Sequence, residues 1–213
     1  LPQLDLAIDR DIAEALLSGI ISDTLGYRTS NTTPATFLLS ASLIEKGANL
    51  TELYNKALNS RSFEAVKYWG AGLTRLEKDG GMAWTSLTLQ DRNDYSYPGN
   101  DDADLINILS SLDDFNVVLI FVEQKDGKVK VSWRSKPGID VSALASHFGG
   151  GGHPAAAGAE ITGKLEEIII QVLEYSRNYL VNIEMNADLL NPGTTVDIPG
   201  ELLVEHGEKN SNG

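Results

Sequence analysis

Cysteine is absent from the 213 residues, which excludes disulfides, cysteine-ligated zinc, iron–sulfur clusters and thiol catalysis, and leaves the redox compartment open. Long apolar runs are absent too. The longest, Val117 to Val122, falls far short of the ~18 residues of a membrane span. Basic residues are scarce, 17 against 30 acidic ones for a net charge of −13, and this disfavours a broad basic surface for nucleic acid. The N-terminus, Leu1-Pro2-Gln3-Leu4-Asp5, has no basic stretch followed by an apolar one and is not a secretion signal. It also lacks an initiating Met, so a piece of a longer protein is expected. With 42% hydrophobic residues the chain cannot be disordered throughout, and its length suits one large domain or two small ones.

The first eighty residues read as helices. Ile12, Leu16 and Ile20 recur at helical spacing with Ala13, Leu17 and Ile21 beside them, predicting a helix over 11–22 that is buried over most of its circumference. Asp11 with Glu14 makes a capping box, and Asp9 caps equally well. Thr33-Pro34 is an N-cap and N1 pair opening a second helix that Gly47 ends. A third helix starts near Asn49 and a fourth near Ser62, with Val66, Trp69, Leu73 and Leu76 as its apolar stripe before Gly80-Gly81.

Beyond Gly81 the pattern turns to strands, over 82–90 and 117–124. Asp126-Gly127 is a type I′ hairpin signal leading into a strand where Val129, Val131 and Trp133 alternate with Lys128, Lys130, Ser132 and Arg134. Asp140 caps a short helix through His147, Ala159 to Thr162 forms a strand, and 163–181 reads as a closing helix. The acidic stretch 183–213, with Pro192-Gly193 and Pro199-Gly200, reads as a partly disordered tail. The aspartate-rich stretch 91–114 lacks EF-hand spacing and reads as a solvated loop and helix start.

Gly149-Gly150-Gly151-Gly152-His153-Pro154 followed by Ala155-Ala156-Ala157-Gly158 is the most unusual stretch. A glycine run is costly to order, and it suits a backbone that approaches a ligand closely. Pro154 then offers an N1 start for a short alanine helix whose N–H groups face an anion. The alternative is a flexible loop with an exposed His153. Neither a Rossmann nor a P-loop pattern is present. Arg134, just before this stretch, is either a surface charge or a bidentate phosphate clamp. Asp23 sits at a helix C-terminus, where the dipole disfavours a carboxylate by ~0.3–1 kcal/mol. A bound cation would reverse that penalty, and capping of the next turn is the competing reading.

Ser132-Trp133-Arg134-Ser135, a short helix, then Phe148 and the Gly149 to Gly158 stretch resemble the C-terminal substrate-binding domain of the DHH (Asp-His-His) phosphoesterases. Residues 15–27 with Thr32-Thr33-Pro34-Ala35-Thr36 are similar to the last metal-binding motif of that family. The resemblance covers residues 5 to about 182 and is nearest to the RecJ-related branch acting on short oligonucleotides and phosphonucleotides. It implies an α/β fold in which a helical remnant of the catalytic domain (1–60) and a connecting helix (61–81) precede a mixed β-sheet domain with flanking helices (82–182) and the acidic tail (183–213). It assigns Asp23 as a catalytic and metal-ligating residue of a two-Mn²⁺ site whose other ligands lie mostly outside this chain. Arg134, Ser135, Gly150, Gly151, Gly152 and His153 are implied to grip the substrate.

No Asp-His-His sequence is present. The expectation is therefore a Mn²⁺-dependent phosphoesterase parent acting on a short oligonucleotide or a mononucleotide such as 3′-phosphoadenosine 5′-phosphate, with this chain mainly binding and nearly inactive alone. A cytoplasmic location, a homodimer and no membrane contact complete it. The competing expectations are a non-catalytic nucleic-acid-binding module and an acidic scaffold. The net charge of −13 favours small ligands over long polyanions.

Overall fold

The computed structural model of the chain describes residues 7–29 and 31–190. The chain divides into two units, Leu1–Thr74 with Gln90–Gly99 and Arg75–Leu89 with Asn100–Gly213.

The first unit is helical, as the sequence predicts. Helix α1 spans Arg10–Asp23, and Asp9 is its cap, its Oδ1 accepting from the Ile12 N–H at 2.9 Å. Only the stripe Ala13, Leu17 and Ile21 is buried, and Leu16 on the neighbouring row is 38% exposed. The expected all-round burial is thereby corrected: in this unit one face of α1 packs on Leu43 of α2 and on Ala48. Helix α2, Pro34–Glu45, opens with a reciprocal Thr33–Thr36 capping box and ends at Gly47, whose φ of +98° suits glycine. A short α3, Leu50–Tyr54, runs into a π-helical turn, Asn55–Asn59.

Helix α4, Phe63–Thr74, buries Ala65, Tyr68, Ala71 and Gly72, and Tyr68 stacks on Tyr97 at 4.9 Å. The expected stripe is the wrong one here: Val66 is 50% and Leu73 45% exposed. Small residues let the α4 backbone approach its neighbours, and periodicity alone cannot say which of two apolar stripes turns inward.

In the second unit the strands are β1 Glu77–Asp79, β2 Met82–Leu87, β3 Val117–Gln124, β4 Lys128–Ser135, β5 Gly151–His153 and β6 Ala156–Thr162. They form one mixed sheet in the order β1-β2-β3-β4-β6-β5, in which β2 and β3 are parallel and the other pairs antiparallel. Short helices α5, Leu89–Asp94, and α6, Leu105–Leu109, lie between β2 and β3 in the chain. Gln124 pairs with Lys128, so the β3–β4 turn is the three residues Lys125–Gly127 and not the expected two-residue type I′ turn, although Asp126 (φ +62°) and Gly127 (φ +66°) do take the positive φ that the Asp-Gly pair favours.

One sheet face carries Leu119, Phe121, Val131, Trp133, Ala157 and Ala159 into a core completed by α7, Val141–His147, and α8, Leu165–Leu190. Asp140 caps α7 by accepting from Ser142 N–H at 2.9 Å. On the other face Val118, Ile120 and Val122 of β3 are buried, as are Leu105, Ile106 and Leu109 of α6, which packs on β3 and β4.

Two expectations change in this unit. Helix α8 continues to Leu190, past the expected end at 181, so 183–190 are helical; the rest of the expected tail, 191–213, lies outside the described residues. More important, Pro154 does not start an alanine helix. Pro154 and Ala155 are a two-residue turn joining β5 to β6, with His153 paired to Ala156 and Gly151 to Gly158. Alanine and glycine side chains let two strands lie flush, and long-range pairing overrides alanine's helix propensity. Among the described residues no helix is long and apolar enough to cross a membrane.

Candidate functional site

Directly paired residues on neighbouring antiparallel strands point to the same side of a sheet. Val118, Arg134, Ala156 and His153 are such a row, running across β3, β4, β6 and β5. Arg134 and His153 therefore share a face, with two strand spacings, about 10 Å, between their backbones. The next row inward is Ser132, Gly158 and Gly151. Between the two larger side chains the floor consists of nothing bigger than a serine. A flat or anionic group can lie against the backbone there.

Each glycine of the run has its own reason. A Cβ on Gly150 would lie 2.2 Å from the Gly158 carbonyl oxygen, and one on Gly152, at φ +146°, would lie 2.6 Å from the Ala156 carbonyl oxygen. Both are demanded by the close approach of β5 to β6. A Cβ on Gly151 would have nothing within 4 Å. Gly151 is the one of the three whose missing side chain leaves open space at the surface. His153 is exposed at the end of the edge strand.

The Arg134 guanidinium is half-buried; its Nη1 donates to the Trp133 carbonyl at 3.0 Å, and its buried Nε has no hydrogen-bond partner among the described residues. Leaving a buried charged donor unpaired costs more than leaving a neutral one, which marks Nε as a donor awaiting an acceptor. Burial pulls the guanidinium below its ordinary value, while Asp102 and Asp104 pull it back up. Asp102 is only 7% exposed and accepts from the Ile106 N–H at 2.9 Å. Burial pushes its carboxyl above the ordinary 3.8 despite that bond. The aspartate-rich stretch reads as solvated, which holds for the exposed Asp104 and fails for Asp102. The available signal was Leu105-Ile106 directly after them, an apolar pair that buries the start of α6.

Ser135 belongs to the neighbourhood but not to the face. Its Oγ ties the Ile139 carbonyl (2.8 Å) and the Pro154 carbonyl (3.1 Å), and its N–H donates to Ala155 O, so it holds the β5–β6 turn against the end of β4.

Asp23 lies in the first unit, exposed at the end of α1, where its Oδ2 accepts from the Asn31 amide at 2.8 Å. The turn after it runs through positive φ at Leu25, Gly26 and Tyr27. Among the described residues no group of three or more His, Asp or Glu side chains is placed to hold a metal ion. A divalent site needs several ligands. Asp23 is the single carboxylate expected to reach that centre from this chain and cannot hold an ion alone, so no chemical step is assigned to a metal on this chain.

A family model described as the DHHA1 domain matches residues 94–178. The chain is similar to the bifunctional oligoribonuclease and PAP phosphatase NrnA of Thermus thermophilus, 32% identical over 172 residues that make up 80% of this chain and 51% of the relative. The protein of that name from Mycoplasma genitalium is 30% identical over 152 residues, 71% of this chain and 47% of the relative. Among solved structures, an exopolyphosphatase-related protein from Bacteroides fragilis aligns with a TM-score of 0.72 at 26% identity, over 81% of this chain and 52% of that one. The chain spans about half the length of the curated relatives it matches.

Proposed function

We propose, for a chain that belongs to the DHH family, that its second unit grips the phosphate of a short oligonucleotide or of a mononucleotide such as 3′-phosphoadenosine 5′-phosphate. The whole protein of which it forms part is then a phosphoesterase that hydrolyses such substrates. The observation that carries the reading is the row of Arg134 and His153 on one sheet face, above the glycine floor of Gly151 and Gly158. The names of the two curated relatives, which act on oligoribonucleotides and PAP, agree with it.

The chemistry follows from the groups present. A phosphate lying on Gly151 and Gly158 accepts from Arg134 Nε, which gains the partner it lacks, and from the His153 ring. A half-buried guanidinium works in a lower effective dielectric than bulk water, so each charge-assisted bond contributes about 1.5–3 kcal/mol. Fixing one phosphate in this way holds the neighbouring ester bond in a defined place, converting part of an encounter into a positioned reaction. The short span of the row suits a nucleotide or an oligonucleotide end.

Asp23 enters the proposal as a single carboxylate contributed to a Mn²⁺ site completed by ligands outside the described residues. The competing reading is a non-catalytic nucleic-acid-binding module, and Asp23 counts against it, since such a module needs no metal-site aspartate at a helix end. A cytoplasmic location and a homodimer belong to the same proposal, the latter checked by analytical ultracentrifugation.

The test is titration of the full chain with 3′-phosphoadenosine 5′-phosphate and a 5′-phosphorylated dinucleotide, beside Arg134→Ala and His153→Ala. Saturable binding that weakens about ten- to hundredfold in Arg134→Ala supports the reading. Wild-type affinity in both variants sinks it. Phosphate release by the whole protein, absent from this chain alone, separates the phosphoesterase from the pure binding module.

A further inference from the structure

His153 is carried on a strand that little else holds. Strand β5 is three residues long, lies at the edge of the sheet and is exposed along its length. Four glycines make up and precede it, with φ +76° at Gly149 and +146° at Gly152. Glycine loses more backbone freedom on ordering than any other residue, and Gly150, Gly151 and Gly152 have no side chain to pack. The place of His153 is therefore set by its pairing with β6 and by bonds at the two ends of β5.

At the near end the Gly149 N–H donates to the Ser146 carbonyl (3.1 Å) and the Gly150 N–H to the Ala145 carbonyl (2.8 Å), tying the run to the last turn of α7. At the far end the Val141 N–H, at the start of α7, donates to the Pro154 carbonyl (2.8 Å), and the Ser135 N–H donates to the Ala155 carbonyl (3.1 Å). The start of α7 is held in turn by Tyr179 Oη, which donates to the Asp140 carbonyl at 2.9 Å. One further bond at the far end comes from a side chain. Ser135 Oγ lies 3.1 Å from the Pro154 carbonyl and 2.8 Å from the Ile139 carbonyl, which share its single proton.

We propose that Ser135 is a positioning residue of the phosphate grip, its hydroxyl latching the turn beyond His153 to the end of β4 and so holding the His153 ring at its distance from the Arg134 guanidinium. The proposal rests on the phosphate-grip reading above and adds what sets the span of the grip.

The placement carries it. Ser135 follows Arg134 in the chain and Pro154 follows His153, so the hydroxyl bond joins the two strand ends next to the two gripping side chains. Successive residues of a strand point to opposite sides, which turns Ser135 away from the face that takes the phosphate. Its effect on a ligand is therefore exerted through the turn. Among the described residues it is the one side chain that bonds to the ends of β5, the other end bonds being backbone to backbone. Without it β5 stays paired to β6, but the turn gains freedom that must be lost again when a phosphate arrives. A hydrogen bond keeps its strength over only a few tenths of an ångström, so slack at the turn is felt at His153.

The test is a double-mutant cycle on the full chain. Wild type, Ser135→Ala, His153→Ala and the double variant are titrated with 3′-phosphoadenosine 5′-phosphate by calorimetry and melted in parallel. With His153 present, Ser135→Ala weakens binding about two- to tenfold, the size of one neutral hydrogen bond. With His153 replaced, Ser135→Ala changes binding no further, although it lowers the melting temperature equally in both backgrounds. Ser135→Thr keeps the hydroxyl and binds within about twofold of the wild type. Equal weakening in both backgrounds, wild-type binding by Ser135→Ala, or a Ser135→Thr variant as weak as Ser135→Ala overturns the positioning role and leaves the grip standing. Wild-type binding by Arg134→Ala and His153→Ala, or no binding by the wild type, overturns the grip and the positioning role together.

Discussion

A single methyl group added at Gly150 or at Gly151 meets opposite surroundings. At Gly150 the new Cβ lies 2.2 Å from the Gly158 carbonyl oxygen, 2.6 Å from Ala159 Cβ and 2.7 Å from Ala159 Cα. None of these is the free end of a flexible side chain, so β5 has to part from β6. Overpacking of this kind costs about 1–3 kcal/mol. At roughly 2–4 °C per kcal/mol for a chain of this size, Gly150→Ala lowers the melting temperature by about 2–12 °C. At Gly151 the Cβ meets open space, and the residue lies outside the left-handed region. Alanine there removes freedom from the unfolded chain and stabilises by about 0.4–1 kcal/mol. Yet its methyl stands on the floor where the phosphate rests, so Gly151→Ala is at least as stable as the wild type and binds 3′-phosphoadenosine 5′-phosphate more weakly. Thermal denaturation with circular dichroism and calorimetric titration read the two quantities separately. Wild-type melting of Gly150→Ala, or wild-type binding by Gly151→Ala, would refute the steric reasoning.

Asp102→Asn tests the buried carboxyl. Its raised value means that the folded chain holds its proton to a higher pH than the unfolded chain does, so stability falls as pH rises from about 3.8 through the folded value and stays low above it. The variant is therefore more stable than the wild type at pH 7, and the gap closes as pH falls towards 4 in pH-dependent urea denaturation. A gap that widens towards acid contradicts this. Gly26→Ala places a Cβ 2.6 Å from Tyr54 Oη at a φ of +72°, and the first unit loses roughly 1–3 kcal/mol, measured by hydrogen exchange of α1 amides. Asp23→Ala removes an exposed carboxylate from the unfavourable end of the α1 dipole, so stability is unchanged or rises by ~0.3–1 kcal/mol in the same assay. A marked loss would show that Asp23 holds the turn.

What was legible in the sequence was local. The Thr33-Pro34 cap of α2 and the Asp140 cap of α7 rest on side chains that satisfy nearby backbone, and the place of the β3–β4 turn rests on two adjacent residues, Asp126 and Gly127, that take positive φ; all three stand in the structure where the sequence puts them. What depended on partners far along the chain was not. The inward stripes of α1 and α4 are chosen by what packs on them, and both helices offer more than one apolar row. The three-residue strands β1 and β5 carry no periodicity to detect, since pairing and not pattern makes them strands. That gap also explains the alanine stretch: without β5 in view, Pro154 followed by alanines reads as a helix start, whereas the same small residues let two strands close. Arg134 and His153 were legible as residues, and their common face was not, because register across β4, β6 and β5 sets it. Asp102 was hidden in a run of aspartates whose composition reports solvent and whose burial comes from α6.

The most direct measurement is a proton–nitrogen NMR titration of the full chain with 3′-phosphoadenosine 5′-phosphate, following backbone amides and the Arg134 Nε–H together. The largest shifts are predicted at Gly151, His153, Ala156 and Gly158, with the Arg134 Nε–H moving downfield as it gains an acceptor. Shifts confined to other parts of the chain, with the Arg134 Nε–H unmoved at saturation, would contradict the phosphate grip.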